Sequence, residues 1–239
     1  MNIPIPAGAR WYKFDFHSHT PASNDYGKNS PDQAALKQRT PREWLLDYMH
    51  AEIDCIAVTD HNTGAWADEL KEALEQLRNE TPPTPGFRDL WFFPGVEVTA
   101  SGGQQGIHIL VTFPSEQATT NIDRFLGGLN YAGNKTQNTE MIAGVTALEV
   151  CKRAVAAGGV AIPSHVDEPC GLFTVLGNGV DQQNFLDQAP VFAVEVWDRT
   201  KPKPQVYIDK KKAWTEVVGS DAHHPSGTPG TSFPGSRFT

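Results

Sequence analysis

The sequence holds three cysteines, Cys55, Cys151 and Cys170, and none of them stands at Cys-x-x-Cys spacing. A disulfide framework is therefore not expected, and the composition suits a reducing, cytoplasmic compartment. No run approaches the ~18 apolar residues of a membrane helix, so a membrane partner is excluded. The opening stretch, Met1 to Gly8, lacks a basic segment followed by an apolar one, and no secretory signal is expected. Positive charge is scarce as well. Lys and Arg number 20 against 28 Asp and Glu, a formal net charge of -8. That balance argues against a broad basic surface for nucleic acid, although bound divalent cations would offset it locally, so charge constrains the substrate only weakly. What remains is a chain of 239 residues, 39% hydrophobic and 10% aromatic, the size of one ordinary α/β domain.

The chain is organised around Asp15-Phe16-His17-Ser18-His19, which closes the strand-like run Trp11 to Phe16. Residues i and i+2 of a strand share a face, so His17 and His19 project together, as half of a metal site would require. Taken alone, such a pair could equally be core histidines satisfied by carbonyls. The other histidines shift that balance. Of the eight in the chain, His61, His108, His165 and His223 also stand at or just past the ends of apolar strand-like runs, whereas His50 and His224 do not.

Along the chain, Asp25 lies in a turn-rich loop after the first strand and reads locally as a turn former or a ligand. Thr40-Pro41-Arg42-Glu43 is a helix start with a capping box, and its helix should run to about Ala51, burying Trp44, Leu45, Tyr48 and Met49. The strand Ile53 to Thr59 ends in Asp60-His61-Asn62. A helix from about Ala65 to Arg78 leads to Leu90-Trp91-Phe92-Phe93 and then to Val96-Glu97-Val98, where a carboxylate set between valines needs a partner. Beyond the Gly-rich turn at 101–103, a strand from 106 to 111 carries His108. Helices are expected over 121–130 and from Thr146 to a stop at Gly158-Gly159, with a loop over 133–138. Val160 to Pro163 is a strand that runs into Ser164-His165, and a long loop follows over 166–180. After a short helix over 182–188, Val191 to Trp197 is the clearest buried strand. Its Glu195 has the setting of Glu97 and is either a ligand or a tether for a neighbouring loop. A helix over 206–212 and a strand at 214–218 lead to Gly219-Ser220-Asp221-Ala222-His223, where an acid and a histidine repeat the i, i+2 spacing.

Seven strand candidates, near residues 11, 53, 91, 107, 159, 191 and 214, mostly alternate with helices. Such alternation implies parallel strands closing into a distorted (β/α)7 barrel, with the reactive groups at the C-terminal strand ends. His17, His19, His61, Glu97, His108, His165, Asp221 and His223 fall there. One metal takes about four protein ligands, so this many imply two or three divalent ions of Zn, Mn or Fe type.

In order, these motifs resemble the PHP (polymerase and histidinol phosphatase) family across nearly the whole chain. They are Asp-Phe-His17-Ser-His19-Thr, Thr-Asp60-His61-Asn, Pro-Gly-Val-Glu97, His108-Ile-Leu, Ser-His165 and Gly-Ser-Asp221-Ala-His223. The resemblance implies a trinuclear centre. His17, His19, Glu97 and Asp221 would hold one ion, a bridging Glu97 with His108 and His165 a second, and Asp25, His61 and His223 a third. Catalysis is assigned to His17, His19, Glu97, Asp221 and His223, and Asp60 is expected to orient a ligand. The stretches Arg42 to Leu45, Leu90 to Thr99 and Gly235 to Thr239 further resemble the N-terminal PHP domain of large proteins that carry an AAA-like or SMC-like ATPase. Residues 1–239 are thus expected to be one domain, the N-terminal part of a longer chain with an ATPase partner region.

The implied activity is metal-dependent phosphoester hydrolysis of a nucleic acid or nucleotide through a metal-activated hydroxide. A catalytically silent, metal-stabilised module of an ATPase is the alternative from another class. An amidohydrolase-like C–N hydrolase is the third, set back because no lysine stands where such sites carry a carbamylated one.

Overall fold

A computed structural model describes residues 10–131, 142–227 and 232–239. The loop expected over 133–138 lies outside the described residues. In chain order the elements are β1 (Phe14–Asp15), α1 (Gln33–Leu36), α2 (Pro41–His50), β2 (Cys55–Val58), α3 (Ala67–Asn79), β3 (Trp91–Ala100) and β4 (Ile107–Thr112). There follow α4 (Thr119–Gly127), α5 (Ala147–Ala156), β5 (Val160–Pro163), α6 (Leu172–Leu176), α7 (Val180–Gln188), β6 (Ala193–Glu195), α8 (Gln205–Asp209) and β7 (Thr215–Val217).

Local sequence rules account for the longer helices. Thr40 caps α2, its side chain accepting from the Glu43 amide while the Glu43 carboxylate accepts from the Thr40 amide at 2.8 Å. The face this cap orients buries Trp44, Leu45, Tyr48 and Met49, as expected. In α3 the buried positions Leu70, Leu74 and Leu77 follow helical spacing. Each such buried side chain contributes about 1.5–3 kcal/mol. Together with Ile53 just before β2 and Ile56 within it, these residues form one outer core, and a larger one packs α4, α5 and α7 on β3 and β4.

Strands β1 to β5 form one sheet in sequence order, and β6 and β7 pair separately. At the site end the seams between the two sheets are closed by single contacts. Ser18 bridges Ala222 in parallel, the His19 amide donates to Ala222 O at 3.1 Å, and the Asp221 amide donates to His17 O at 2.9 Å. Lower in the same seam Thr239 lies between Phe14 and Val218. On the other side the Val166 amide donates to Glu195 O at 2.8 Å. The ring is therefore a distorted seven-stranded barrel.

One strand departs from the expected parallel arrangement. β4 is antiparallel to both β3 and β5. Only residues 101–106 separate it from β3, too few for a crossover, which takes a dozen or more residues. Gly106 turns that hairpin at φ 81°, where a Cβ would lie 2.5 Å from the Thr99 side chain. Reversal carries His108 near the start of β4 to the same barrel end as the C-termini of its neighbours. Two further expectations change. The long loop at 166–180 contains α6, and the buried strand at 191–197 shortens to β6, with Phe192 78% exposed. Phe192 lies just before the strand, at the open end away from the site, and no layer covers it there.

Candidate metal centre

Sheet register fixes which side chains face inward. Glu97 pairs with Leu110 and Leu110 with Ile162, so the three share a face, and His108 lies two residues before Leu110 on that face. Leu110, Ile162 and Val217, with Phe16 and Ala193, form a small apolar plug inside the barrel. Above it sits Glu97, wholly buried, with five histidines around its carboxylate. His17 Nε2 lies 3.2 Å, His19 Nε2 3.5 Å and His61 Nδ1 3.1 Å from Oε2, while His108 Nδ1 lies 3.0 Å and His165 Nε2 3.4 Å from Oε1.

All nine expected residues reach this cluster. Asp221 Oδ1 stands 3.3 Å from His17 Nε2 and 3.1 Å from His19 Nε2. Asp25 Oδ2 stands 3.3 Å from both His61 Nε2 and His223 Nε2. The loop bearing Asp25 is tied down by the Gly27 amide, which donates to His223 O at 2.7 Å, and this sets the acid opposite the end of β7. His50, exposed at the end of α2, and His224, bonded to Ser226 O, stand apart from the cluster, as expected. Three residues here carry backbone strain. Asn62, His165 and Asp221 adopt φ of 52°, 28° and 51° just past their strands, a conformation costing about 1–3 kcal/mol per residue.

The donor set fits metal ions. His17 Nε2 and His19 Nε2 face each other at 3.0 Å, close enough that two bare lone pairs would repel unless a proton or a cation lay between them. Glu97 Oε2 has three imidazole nitrogens within 3.5 Å and a hydrogen bond to none. Buried Asp25 Oδ1, His61 Nδ1, His165 Nδ1 and His223 Nε2 also lack hydrogen-bond partners. Four overlapping groups have ligand atoms within 4.8 Å of one another: His19, His61 and His223; His17, His19 and Asp221; His17, Glu97 and His165; and His61, Glu97 and His108. Imidazole with carboxylate is the donor chemistry of Zn, Mn or Fe.

Electrostatics within the cluster are strongly perturbed. Burial would raise the Glu97 carboxyl, but His17, His108 and His61 outweigh it and hold it well below the usual carboxylate range. His17 and His19 are driven apart. Burial opposes charge on both rings. His17, beside Glu97, Asp221 and Glu195, is nevertheless raised well above its ordinary value, whereas burial and the neighbouring His223 push His19 down to about 3.

Asp60 supports the cluster from behind. Its carboxylate accepts from the Thr20 amide, the Thr20 hydroxyl and the Ser23 hydroxyl at 2.7–2.8 Å. Ser23 Oγ in turn lies 3.3 Å from His19 Nδ1 and accepts from the His61 amide at 3.1 Å. Sequence reasoning missed Ser23, since a serine in a turn-rich loop carries no distinguishing pattern. It also gave no role to Asp15, whose Oδ1 accepts from the His17 and Ser220 amides and so joins the ends of β1 and β7. An acid between two phenylalanines of a buried strand was the available signal.

No family model and no curated relative matches the sequence. Solved structures do. The lesion-specific endonuclease PfuEndoQ from Pyrococcus furiosus superposes with a TM-score of 0.62 at 15% identity, over 90% of this chain and 49% of that one. The two share a fold. Endonuclease Q bound to a 27-mer duplex with an abasic lesion at its active site gives a TM-score of 0.59 at 14% identity, over 90% and 50% of the two chains. This chain thus spans about half the length of the endonuclease. A Bifidobacterium adolescentis protein assigned as a metal-dependent phosphoesterase gives a TM-score of 0.62 at 18% identity, over 95% and 92%. An amidohydrolase from Chromobacterium violaceum follows with a TM-score of 0.53 at 17% identity, over 92% and 93%. Among the described residues no helix is long and apolar enough to cross a membrane.

Proposed function

We propose that this chain is a metal-dependent phosphoesterase whose substrate is a nucleic acid or nucleotide. One observation carries the reading: Glu97, buried at the centre of five histidines with its Oε2 hydrogen-bonded to none of them, with Asp25, Asp221 and His223 completing the ring. His17, His19, Glu97 and Asp221 would hold one divalent ion, Glu97 with His108 and His165 a second, and Asp25, His61 and His223 a third. When bound, such ions neutralise phosphoryl oxygens and lower the pKa of water, which removes the need for a Ser or Cys nucleophile. Support for the phosphoester class comes from the fold shared with an assigned phosphoesterase and with endonuclease Q. Support for nucleic acid comes from the duplex bound to endonuclease Q.

This chain's residues define the direction of approach. His17, His19 and Glu97 are sealed from solvent, whereas the Asp25, Asp221 and His223 side chains are 20%, 25% and 27% exposed. A phosphoester would enter over that edge and meet the deeper donors last. Asp25 and Asp221 at the rim repel an anion unless they are neutralised, so a metal-loaded centre is a condition of binding. Free cysteines throughout suit a cytoplasmic setting. The reading of 1–239 as one domain ahead of an ATPase region is carried by sequence resemblance alone.

The decisive experiment joins elemental analysis to hydrolysis of bis-p-nitrophenyl phosphate, p-nitrophenyl phosphate and a labelled oligonucleotide with added Mn. Two to three ions per chain, with cleavage lost in Asp221→Ala, is the expected result. Full metal occupancy without phosphoester turnover would refute it. Amide hydrolysis is the second reading, favoured by the fold shared with an amidohydrolase. Glu97 standing at the bridging position speaks against it, and turnover of amide but not phosphate substrates would establish it.

A further inference from the structure

The sheet is broken beside the site, and one side chain spans the break. No strand ladder joins β5 to β6 or β7 to β1, and the β7 side meets the β1 side through the single Ser18–Ala222 bridge and the hydrogen bonds beside it. Glu195, the last residue of β6, is 2% exposed and has no lysine or arginine partner among the described residues. Its Oε2 accepts from His17 Nδ1 at 2.9 Å and from the His165 amide at 3.0 Å, and its Oε1 accepts from the Gly219 amide at 3.0 Å. Those donors belong to the ends of β1, β5 and β7, and each stands at or two residues before a proposed ligand: His17 itself, His165 itself and Asp221.

Packing leaves no slack at this junction. A Cβ on Gly219 would lie 2.5 Å from His17 Cβ and 2.8 Å from Glu195 Oε1, so only glycine lets the β7 end approach this closely. With three N–H donors on two oxygens, Glu195 has little capacity left to bind a metal, and it belongs to none of the four candidate ligand groups. The Glu195 oxygen that faces His17 Nδ1 at 2.9 Å holds the proton on that nitrogen. That leaves Nε2, the atom facing Glu97, His19 and Asp221, as the free lone pair.

We propose that Glu195 is a positioning residue: it fixes the His17 tautomer and gathers three separate strand ends so that their ligands converge. This rests on the reading of the cluster as a metal centre. A buried tether of merely structural value would alter stability alone, whereas a positioning residue alters affinity and ring protonation as well.

The test compares wild type with the isosteric Glu195→Gln in zinc affinity, measured by chelator competition, and in the His17 ring proton, observed by 15N NMR of the zinc-loaded wild type. The amide removes the negative charge and sets an NH2 against at least one of the three N–H donors. Zinc affinity is expected to fall about 10–100-fold, with turnover partly restored at saturating metal and with His17 carrying its proton on Nδ1 in the wild type. Affinity within twofold of wild type in a folded variant would overturn the proposal. So would a wild-type His17 protonated on Nε2, a result that needs no variant to fold. A wild type that takes up no zinc would instead fail the metal-centre reading, and this proposal with it.

Discussion

Glu97→Gln isolates charge from shape at the centre of the cluster. The amide has almost the volume of the carboxylate, and its oxygen can still accept from Ser164 Oγ, which donates to Glu97 Oε1 at 3.0 Å. What it loses is the negative charge that faces five imidazoles. Glu97 belongs to two of the four candidate ligand groups, one with His17 and His165 and one with His61 and His108. A single substitution therefore weakens two positions, whereas loss of His108 weakens one. Removing an outer support of a ligand typically costs 10–100-fold in affinity, so removing a shared ligand should cost at least ~100-fold at each position. That is about 2.8 kcal/mol for each of the two. Elemental analysis after dialysis against a mild chelator should find the variant depleted of more than one ion, while His108→Ala loses fewer. Phosphodiester turnover should fall with metal content in both. Full metal content in Glu97→Gln would refute the bridging assignment even if activity were lost.

Removing the bound metal should destabilise the fold: excess of 100 times Kd contributes about 2.7 kcal/mol per ion, or about 5–10 °C in a chain of this size, and an unchanged melting temperature on adding Mn or Zn to chelated protein would count against a built site. Gly219→Ala should cost about 1–3 kcal/mol by overpacking and lower turnover through His17, whose Cβ lies 2.5 Å from the added methyl; wild-type turnover and melting would show that the junction relaxes freely. Thr40→Ala removes the exposed α2 cap, at about 1 kcal/mol, while Trp44 can still donate to His19 O, and should lower the melting temperature while leaving kcat unchanged. Asp60, pushed up to about 6 by burial despite its bonds from Thr20 and Ser23, lies above its unfolded value near 4. Its contribution in metal-free protein is thus present below pH 4 and lost as pH rises through 6, by about 3 kcal/mol. Urea titrations across that range should show the slope in wild type and a flatter curve in Asp60→Asn.

Most of the candidate site was legible because its residues sit where strand patterns stop. His17 and His19, His61, Glu97 and Asp221 with His223 each follow or interrupt an apolar run, so period and position could be read together. The apolar faces of α2 and α3 were legible for the same reason, and Thr40 with Glu43 set a boundary that tertiary packing did not move. What escaped was set by partners distant in sequence. The reversal of β4 follows from the short hairpin at 101–106, which the alternation of strands and helices elsewhere concealed. α6 is a short helix whose buried Leu172 and Phe173 lack the length to show a period. Ser23 and Asp15 act through contacts with His19, His61 and Ser220, none of which local pattern can express.

The same separation explains how the chain can bury so many ionisable groups in one place. Trp44, Leu45, Leu70 and Leu77 pack between helix and sheet, outside the barrel, and form a core that does not include the site. The cluster inside the barrel rests on a plug of only Leu110, Ile162 and Val217 with two partly buried neighbours. Strained backbone at Asn62, His165 and Asp221 adds to the cost of assembling it. Stability is thus drawn from the outer layer, and the inner one is left free to hold acids and imidazoles together. Asp15, Asp60 and Glu195, each occupied by N–H or O–H donors, are the hinge between the two: they convert a fold stabilised elsewhere into fixed positions for His17, His19 and Asp221.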